Sequence, residues 1–320
     1  MINALIPTIV FLDAYSIGDA DMSALSAAGK FISYENTAPE QVIKRCTGAD
    51  IVITNKVKLM QPELEALPNL KLICIAATGM NNVDLKVAAE KGITVKNVAD
   101  YSTNSVAELT FTMALDLIHQ THYYDQYVKS GAYSRNGRFT HHGRSFFEIK
   151  GKKWGIIGMG HIGRRVAEIA SAFGAEISYH STSGKNLQSG YPHKELDDLL
   201  SESDIISIHA PLNEQTQYLI DYQKLCLMKP AAYLINVGRG GIVKETDLAQ
   251  ALRENRLAGA GLDVYEQEPM PADNPLLSPD LQEKLLMTPH IAWASAEARQ
   301  RLVDTMVEQI QGQSKIWGCE

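Results

Sequence analysis

The sequence predicts an α/β protein made of two doubly wound, Rossmann-like domains, each built on a parallel sheet. Three observations lead to this fold class. Short apolar runs alternate with amphipathic, helix-like stretches along most of the chain, and the alternation restarts after a polar stretch at residues 131–144. Because parallel strands are joined by crossover helices, this alternation favours parallel sheets over hairpins. A length of 320 residues also suits two domains of ordinary size.

The first α/β series occupies the N-terminal third. Its predicted strands are Thr8–Leu12, Ile51–Thr54, Leu72–Ile75 and Thr94–Lys96. Two stretches between them are predicted helices: Pro39–Cys46, with proline at a suitable first position, and Asp84–Lys91, which ends at Gly92. A longer helical stretch, Ser102–His119, follows without a strand partner, and we interpret it as a connector between the domains.

The second series begins near Lys153. Its predicted strands are Trp154–Ile157, Glu176–His180, Ile205–His209, Ala232–Asn236, Gly259–Asp263 and Leu285–Met287. Two βαβ halves of this kind are what a doubly wound nucleotide-binding domain requires. The last apolar-periodic stretch, Ala294–Ile310, is predicted to be a helix that returns to pack on the first domain. We therefore expect a discontinuous domain of residues 1–101 plus 292–320 and a second domain of residues 102–291.

The composition excludes several classes of protein. Lysine and arginine total 30 against 37 acidic residues, a net charge of −7, so we expect no binding of nucleic acid or of an anionic membrane surface. No apolar run approaches the roughly 20 residues of a membrane helix, and the N-terminus is a poor signal peptide. The cysteines lie far apart and predict neither a metal site nor disulfides, which suits the cytoplasm: Cys46, Cys74, Cys226 and Cys319.

A glycine-rich turn follows the first strand of the second series. Gly158-Met-Gly-His-Ile-Gly163 comes directly after the apolar strand and opens a predicted helix, Ile162–Phe173, that stops at Gly174. In this context Gly158 permits a tight turn, Gly160 lets the backbone approach a pyrophosphate, and Gly163 lets helix and strand pack closely. The helix N-terminus adds amide donors and a positive dipole. The turn therefore predicts a dinucleotide site, and packing alone explains the spacing less well.

The end of the next strand bears on the choice of dinucleotide. A carboxylate there would accept from the adenosine ribose hydroxyls and repel a 2′-phosphate. This chain has Ser181, followed by Thr182 and Ser183, which can donate to a phosphate, and by Lys185, which can pair with one. Our hypothesis is that the cofactor is NAD(H) or NADP(H), with NADP(H) accepted; a polar loop that tolerates either cofactor is the alternative.

Three charged or ionisable residues follow predicted strands of the second series, at the edge where doubly wound sheets bind ligands. They are Arg239, flanked by glycines, Glu268 and His290. A guanidinium can grip the carboxylate and carbonyl oxygens of a 2-oxo acid, an imidazole can exchange the alcohol proton, and a carboxylate can orient that imidazole. Singly, each also fits a structural role, as a surface arginine, a loop acid or a buried histidine. Together, downstream of the glycine turn, they indicate hydride-transfer chemistry.

At these residues the chain resembles the D-isomer-specific 2-hydroxyacid dehydrogenases over nearly its full length. The matching segments occur in order along the sequence: Ala76-Ala-Thr-Gly79-Met-Asn-Asn-Val-Asp84, Asn104-Ser-Val-Ala-Glu108, Gly158-Met-Gly-His-Ile-Gly163, His209-Ala-Pro-Leu-Asn-Glu-Gln-Thr216, Asn236-Val-Gly-Arg-Gly-Gly241, Gly261-Leu-Asp-Val-Tyr-Glu-Gln-Glu-Pro269 and Thr288-Pro-His-Ile-Ala292. Such an ordered series is far more specific than any one motif.

The resemblance implies two α/β domains with the active site in the cleft between them, and homodimers built largely through the nucleotide-binding domain. It places the family's substrate arginine on Arg239, its acid–base on His290 and the partner of that histidine on Glu268. The substrate carboxylate would be held by the backbone around Thr78 and Gly79. The implied cofactor contacts, together with the glycine turn and its neighbours, are Thr103, Gly158, Gly160, His161, Ile162, Gly163, Ser181, Ala210, Pro211, Thr216, Val237, Gly238, Arg239, Asp263, His290 and Ala292.

Within the family, the chain looks most like the glycerate dehydrogenases, which reduce hydroxypyruvate or glyoxylate. Two further residues are then candidates for the substrate pocket: Lys56, which could reach a carboxylate or hydroxyl, and Trp293, which could wall the pocket beside His290. A surface lysine and a core tryptophan are the structural alternatives. Reductases of the phosphoglycerate or D-lactate type, and a dinucleotide-sensing corepressor-like protein on the same scaffold, are the alternative functions.

Overall fold

A computed structural model of the chain describes residues 6–187 and 190–318, with side chains as far as residue 313. The chain divides into two compact units. Unit 1 runs up to Ser102 and resumes at Ala294, and unit 2 is Thr103–Trp293. Among the described residues no helix is long and apolar enough to cross a membrane.

The secondary structure alternates between strands and helices throughout. The strands are β1 (Thr8–Phe11), β2 (Lys30–Ser33), β3 (Ile51–Thr54), β4 (Leu72–Ile75), β5 (Thr94–Asn97), β6 (Lys153–Ile157), β7 (Glu176–His180), β8 (Ile205–Ile208), β9 (Tyr233–Asn236), β10 (Gly259–Leu262) and β11 (Leu285–Met287). The α-helices are α1 (Ser23–Ala28), α2 (Val42–Cys46), α3 (Gln61–Glu65), α4 (Leu85–Glu90), α5 (Thr103–His119), α6 (Thr121–Lys129), α7 (Ala132–Asn136), α8 (His161–Ala172), α9 (Leu196–Glu202), α10 (Tyr222–Leu227), α11 (Glu245–Arg253) and α12 (Ala296–Gly318).

Unit 1 is a parallel five-stranded sheet in the order β2-β1-β3-β4-β5. The central strands β3 and β4 are buried along their whole length, which explains why they read as continuous apolar runs in the sequence. The strand order reverses between β1 and β3, so this pair forms the topological switch point of the unit. The last helix, α12, packs on α1, and Arg299 donates from Nη1 to the Ile17 carbonyl at 2.9 Å.

The sequence did not predict β2, the edge strand of this sheet. Its two middle residues are half-buried, its two end residues are exposed, and it begins with Lys30. A four-residue strand that pairs on one side only has too few apolar positions for a period of two to stand out.

Unit 2 is a parallel six-stranded sheet in the order β11-β10-β9-β8-β6-β7. Its switch point lies between β6 and β8. Beyond β7 the chain returns alongside the edge at a single parallel bridge, between Tyr179 and His193. Both sheets are parallel and carry crossover helices, so the predicted fold class of two Rossmann-like α/β domains is confirmed.

The helix at residues 102–119, which we interpreted as a connector, begins where unit 2 begins and is also a packed element of that unit. α5 packs against α8 and against β9 and β10 of unit 2, and its apolar face is buried there. Phe111 on α5 stacks on Trp154 of β6 with ring centroids 4.8 Å apart. The helix is therefore part of the layered structure of unit 2. Two helices that the sequence did not predict follow it, α6 before the polar stretch of residues 131–144 and α7 within it.

Candidate active site

The glycine-rich turn connects β6 to α8 at the switch point of unit 2. Gly158 has φ +95°, a conformation that favours glycine, and a Cβ there would lie 2.8 Å from the backbone nitrogen of Ala210. A Cβ on Gly163 would overlap the carbonyl oxygen of Gly158, whereas a Cβ on Gly160 would meet no atom within 4 Å. The first and third glycines are thus required by the fold, and the space over the middle glycine is open.

This open turn fits the pyrophosphate of a dinucleotide. α8 begins at His161, immediately after Gly160, so the backbone N–H groups of its first turn have no carbonyl within the helix to bond. Such N–H groups and the helix dipole favour a phosphate. The residues that would hold the group are the three glycines with His161 and Ile162.

The other predicted cofactor residues of unit 2 lie at the same carboxyl edge of the sheet or at the start of α5. Ser181 follows β7 and is buried; Ala210 and Pro211 follow β8. The Thr216 hydroxyl is used within its own turn, because it donates to the Pro211 carbonyl at 2.7 Å and accepts from the Asn213 N–H at 2.8 Å. The remaining members of the set are Thr103 at the start of α5, Val237 and Gly238 after β9, Asp263 after β10, and His290 and Ala292 after β11.

His209, at the end of β8, carries a strongly perturbed imidazole. Its Nε2 lies 3.0 Å from Ser207 Oγ, which also accepts from Trp154 Nε1 at 3.0 Å. In the described part of the chain its buried Nδ1 has no hydrogen-bond partner. Burial lowers the pKa of His209 to about 3, so the ring is neutral at physiological pH.

A turn fixed by Asn236 presents Arg239. The side chain of Asn236 is buried, accepts from the Gly238 N–H at 3.1 Å and donates to the Arg239 carbonyl at 3.0 Å. The guanidinium of Arg239 is exposed, with Nη1 donating to the Gly238 carbonyl at 2.8 Å. This arrangement leaves the planar fork of the guanidinium available to an anionic ligand.

Glu268 and His290 form a hydrogen-bonded pair. His290 Nδ1 lies 2.6 Å from Glu268 Oε2, and the two side chains are 26% and 34% exposed. The other carboxylate oxygen, Oε1, accepts from the Tyr265 N–H at 3.0 Å. Glu268 thus fixes the ring through Nδ1 and leaves Nε2 as the nitrogen for proton exchange.

The backbone of His290 is held in an unusual conformation. Its φ is +55°, which residues other than glycine rarely adopt. The N–H donates to the Thr288 carbonyl at 3.0 Å, and the carbonyl accepts from Trp293 Nε1 at 3.0 Å. Trp293 is therefore beside His290, with its indole nitrogen bonded to that residue.

Asp263 stabilises the loop that carries His290. Its buried carboxylate accepts from Thr288 Oγ1 at 2.6 Å, the Ile291 N–H at 2.8 Å and the Ala292 N–H at 2.8 Å. Burial raises the pKa of Asp263, although these donors oppose the shift. The structure thus gives Asp263 a set of contacts within the chain, on both sides of His290, that the sequence did not reveal.

The three predicted substrate residues of unit 1 lie at the carboxyl edge of its own sheet. Lys56 follows β3 and is exposed, and Thr78 and Gly79 follow β4. Thr78 is braced: its hydroxyl donates to the Val98 carbonyl at 3.2 Å, and its carbonyl accepts from Asn97 Nδ2 at 2.6 Å. The hydroxyl is bonded within unit 1, so the backbone is the part of Thr78 left for a ligand.

Sequence reasoning missed the residue that holds the Lys56 turn. Asp13, two residues beyond the end of β1, is buried, and its carboxylate accepts from the backbone N–H groups of Asn55, Lys56 and Val57 at 2.6–3.2 Å. The available signal was an acidic residue at the end of a strand next to the switch point.

Comparison with known proteins agrees with this geometry. The family model for the NAD binding domain of D-isomer specific 2-hydroxyacid dehydrogenases matches residues 111–292. A hydroxypyruvate reductase of Blautia hydrogenotrophica is 37% identical over 312 residues, which cover 95% of each protein. A glycerate dehydrogenase of Methylorubrum extorquens is 37% identical over 307 residues, again 95% of each.

A solved structure extends the likeness to the fold of the whole chain. An NADPH-dependent glyoxylate/hydroxypyruvate reductase from Sinorhizobium meliloti, in complex with NADP and malonate, has a TM-score of 0.80 at 27% identity, covering 96% of this chain and 93% of that one. The protein belongs to the family of D-isomer specific 2-hydroxyacid dehydrogenases and is an oxidoreductase with an NAD-binding domain.

Proposed function

We propose that this dehydrogenase reduces hydroxypyruvate or glyoxylate, giving D-glycerate or glycolate, with NADPH or NADH as the hydride donor. The observation that carries the proposal is the 2.6 Å pair of His290 and Glu268, at the same sheet edge as the Arg239 turn and the open glycine turn. The names of two relatives that cover 95% of the chain, a hydroxypyruvate reductase and a glycerate dehydrogenase, support the substrate class.

Each reacting side chain has a separate task. Arg239 binds the carboxylate and carbonyl oxygens of the 2-oxo acid and polarises the C2 carbonyl. When bound, the reduced nicotinamide supplies a hydride for C2. His290 gives the proton on Nε2 to the C2 oxygen, and Glu268 stabilises the imidazolium through Nδ1. Proton transfer by a positioned residue contributes about 10²–10⁴-fold in rate.

The resemblance to the family assigns further substrate contacts to Lys56, Thr78, Gly79 and Trp293. The backbone at Thr78 and Gly79 binds the substrate carboxylate, and the Lys56 amine adds a positive charge near it. Trp293, bonded to the His290 carbonyl, forms an apolar wall for a short substrate. Lys56→Ala is then expected to raise KM for the 2-oxo acid and to leave KM for the nicotinamide cofactor unchanged.

A substrate panel tests the proposal. The purified protein is assayed with hydroxypyruvate, glyoxylate, pyruvate and phosphohydroxypyruvate by following cofactor absorbance. We expect the highest kcat/KM with hydroxypyruvate or glyoxylate. A preference for pyruvate would favour a D-lactate type, and a preference for phosphohydroxypyruvate a phosphoglycerate type. No turnover with any of them would favour a dinucleotide-sensing protein.

The proposed cofactor range includes NADPH. Ser181 places no carboxylate at the ribose position, and the exposed Lys185 lies four residues further along the loop. The relative from Sinorhizobium meliloti was solved with NADP. Ser181→Asp should lower the ratio of kcat/KM for NADPH over NADH by about tenfold, equivalent to 1.4 kcal/mol. Lys185→Ala is the matched variant: it should weaken NADPH alone. A wild-type enzyme that uses NADH only would contradict this assignment.

We also propose that unit 2 forms a homodimer through the segment from α6 to residue 147. This segment exposes large apolar side chains, among them Val128, Phe146 and Phe139, which is 92% exposed. Exposed apolar patches of this kind mark protein interfaces. Sedimentation should give a dimer, and Phe139→Asp should shift it toward monomer. A monomeric wild-type protein would overturn the proposal.

The cytoplasm is the proposed location. The thiols of Cys46 and Cys74 are buried, and burial raises the pKa of each to about 12, so neither is a reactive thiolate. Reduced, buried cysteines suit a reducing compartment. Fractionation of cells that produce the protein tests this directly, and recovery in a membrane or secreted fraction would refute it.

A further inference from the structure

We propose that Glu245, which is not one of the reacting groups, is a positioning residue. Its side chain fixes the loop that carries Glu268 relative to the turn that carries Arg239. The inference rests on the proposed function of these two residues. Glu245 is the first residue of α11 and is 7% exposed, an unusual degree of burial for a glutamate.

Reciprocal hydrogen bonds join Glu245 to the loop after β10. Glu245 Oε1 accepts from the Glu266 N–H at 2.6 Å, and Glu266 Oε1 accepts from the Glu245 N–H at 2.7 Å. The second oxygen of Glu245, Oε2, accepts from Asn274 Nδ2 at 2.5 Å. Both oxygens of the buried carboxylate therefore hold the segment that carries Glu268, two residues beyond Glu266.

The Arg239 turn meets the same loop at a second point. A Cβ on Gly240 would overlap the carbonyl oxygen of Tyr265, so the two backbones are in direct contact there. Tyr265 in turn donates its N–H to Glu268 Oε1, and its hydroxyl to the Thr288 carbonyl at 2.9 Å. With the contact at Gly240 and the bonds of Glu245, two points fix the turn and the loop relative to each other.

The burial of a charged Glu245 has a cost that these donors offset. A buried carboxylate is destabilising unless its oxygens are hydrogen-bonded, and here both are. Its position at the first residue of α11 also places its charge at the positive end of the helix dipole. The Glu245 carboxylate therefore bonds to the loop after β10, and a shorter side chain at this position would lose these hydrogen bonds.

Three substitutions of Glu245 distinguish the effect of side-chain length from the effect of charge. Glu245→Gln keeps the length and the acceptor for the Glu266 N–H, but it removes the charge and the acceptor for Asn274 Nδ2. Glu245→Asp keeps the charge but is one methylene too short, and Glu245→Ala loses both. The matched control is Glu254→Gln at the other end of α11, where the side chain bonds Tyr222 and Arg256 on the surface.

We expect kcat to depend on the length of the side chain at position 245 more than on its charge. Glu245→Ala and Glu245→Asp should lower kcat for hydroxypyruvate reduction by about 10–100-fold, since small misplacements of reacting groups have effects of that size. Their dissociation constants for NADPH should stay at the wild-type value. Glu254→Gln should keep kcat at the wild-type value, and Glu245→Gln, which keeps the bond to Glu266 but not the bond to Asn274, should lower it less than Glu245→Ala or Glu245→Asp. If Glu245→Gln is as slow as Glu245→Ala while Glu245→Asp is active, the charge matters and the positioning role is wrong.

A spectroscopic measurement makes the test independent of turnover. The proton between His290 Nδ1 and Glu268 should give a downfield NMR signal in the wild type and in Glu245→Gln. The signal should be lost in Glu245→Ala and Glu245→Asp, although both remain folded. An unchanged signal in all variants overturns the inference. A wild type that shows the signal but reduces no 2-oxo acid would instead refute the proposed function alone.

Discussion

The two switch points of this molecule are built alike and filled differently. In unit 2 the turn after β6 is made of glycines, and the space over Gly160 is open. In unit 1 the carboxylate of Asp13 occupies the corresponding position, at the carboxyl ends of the neighbouring strands β1 and β3. Consecutive backbone N–H groups point at an anion position in unit 1, and the chain supplies that anion itself.

The comparison shows how a repeated architecture acquires separate uses. A parallel sheet with this strand order offers amide donors at its switch point whether or not a ligand binds there. In unit 2 no side chain covers the turn, and the proposed function places a cofactor phosphate at its donors. In unit 1 a single buried carboxylate converts the same edge into a rigid turn that carries Lys56.

The largest effect on stability should come from removing that internal anion. Asp13→Ala removes the carboxylate that accepts from three buried or partly buried N–H groups, so we expect the free energy of unfolding to fall by about 3–5 kcal/mol. Urea denaturation measures it, and Asp19→Ala, an exposed residue paired with Arg299, is the control. Sulfate should stabilise Asp13→Gly more than the wild type, because it can take the vacated anion position. Equal stability of Asp13→Ala and wild type would refute the account of unit 1.

A smaller change in stability should distinguish substitutions at two glycines of unit 2, Gly163 and Gly160. Gly163→Ala forces a Cβ onto the Gly158 carbonyl and should destabilise the protein by about 1–3 kcal/mol. Gly160→Ala has free space and should leave unfolding within about 0.5 kcal/mol of wild type. Its dissociation constant for NADPH should nevertheless rise by about tenfold, or 1.4 kcal/mol. Tight NADPH binding by Gly160→Ala would show that the open space is not the phosphate site.

The sequence predicted the buried strands of both sheets but missed one edge strand and two exposed helices. The long apolar runs of β3, β4, β8 and β9 were predicted within a residue or two because these strands are buried on both faces. The short edge strand β2 and the polar helices α6 and α7 were missed, since their residues are largely exposed and leave little periodicity.

The candidate site divides in the same way. Residues that follow strands, such as Arg239 and His290, could be picked out because strand ends converge at one edge of a parallel sheet. Asp13 and Glu245 could not be assigned tasks, because their partners are backbone N–H groups more than 20 residues away in sequence. Long-range bonds to the backbone leave no pattern of residue types to detect.

An effect of similar size is a pH dependence of stability that arises from His209, at the switch point of unit 2. Unfolded, His209 binds a proton near pH 6.5, whereas in the folded protein burial lowers its pKa to about 3. Stability from this group is complete above pH 6.5 and falls as the pH drops toward 3. Between pH 7 and pH 5 the wild type should lose about 2 kcal/mol more than His209→Gln. Equal losses in urea titrations would show that the imidazole titrates normally.

The most direct test of the central claim is kcat for hydroxypyruvate reduction by His290→Ala, with the dissociation constant for NADPH measured on the same preparation. We expect a loss of about 10²–10⁴-fold in kcat with unchanged NADPH binding, because in the proposed function the imidazole supplies the proton and the glycine turn holds the cofactor. A variant that keeps most of its turnover would contradict it.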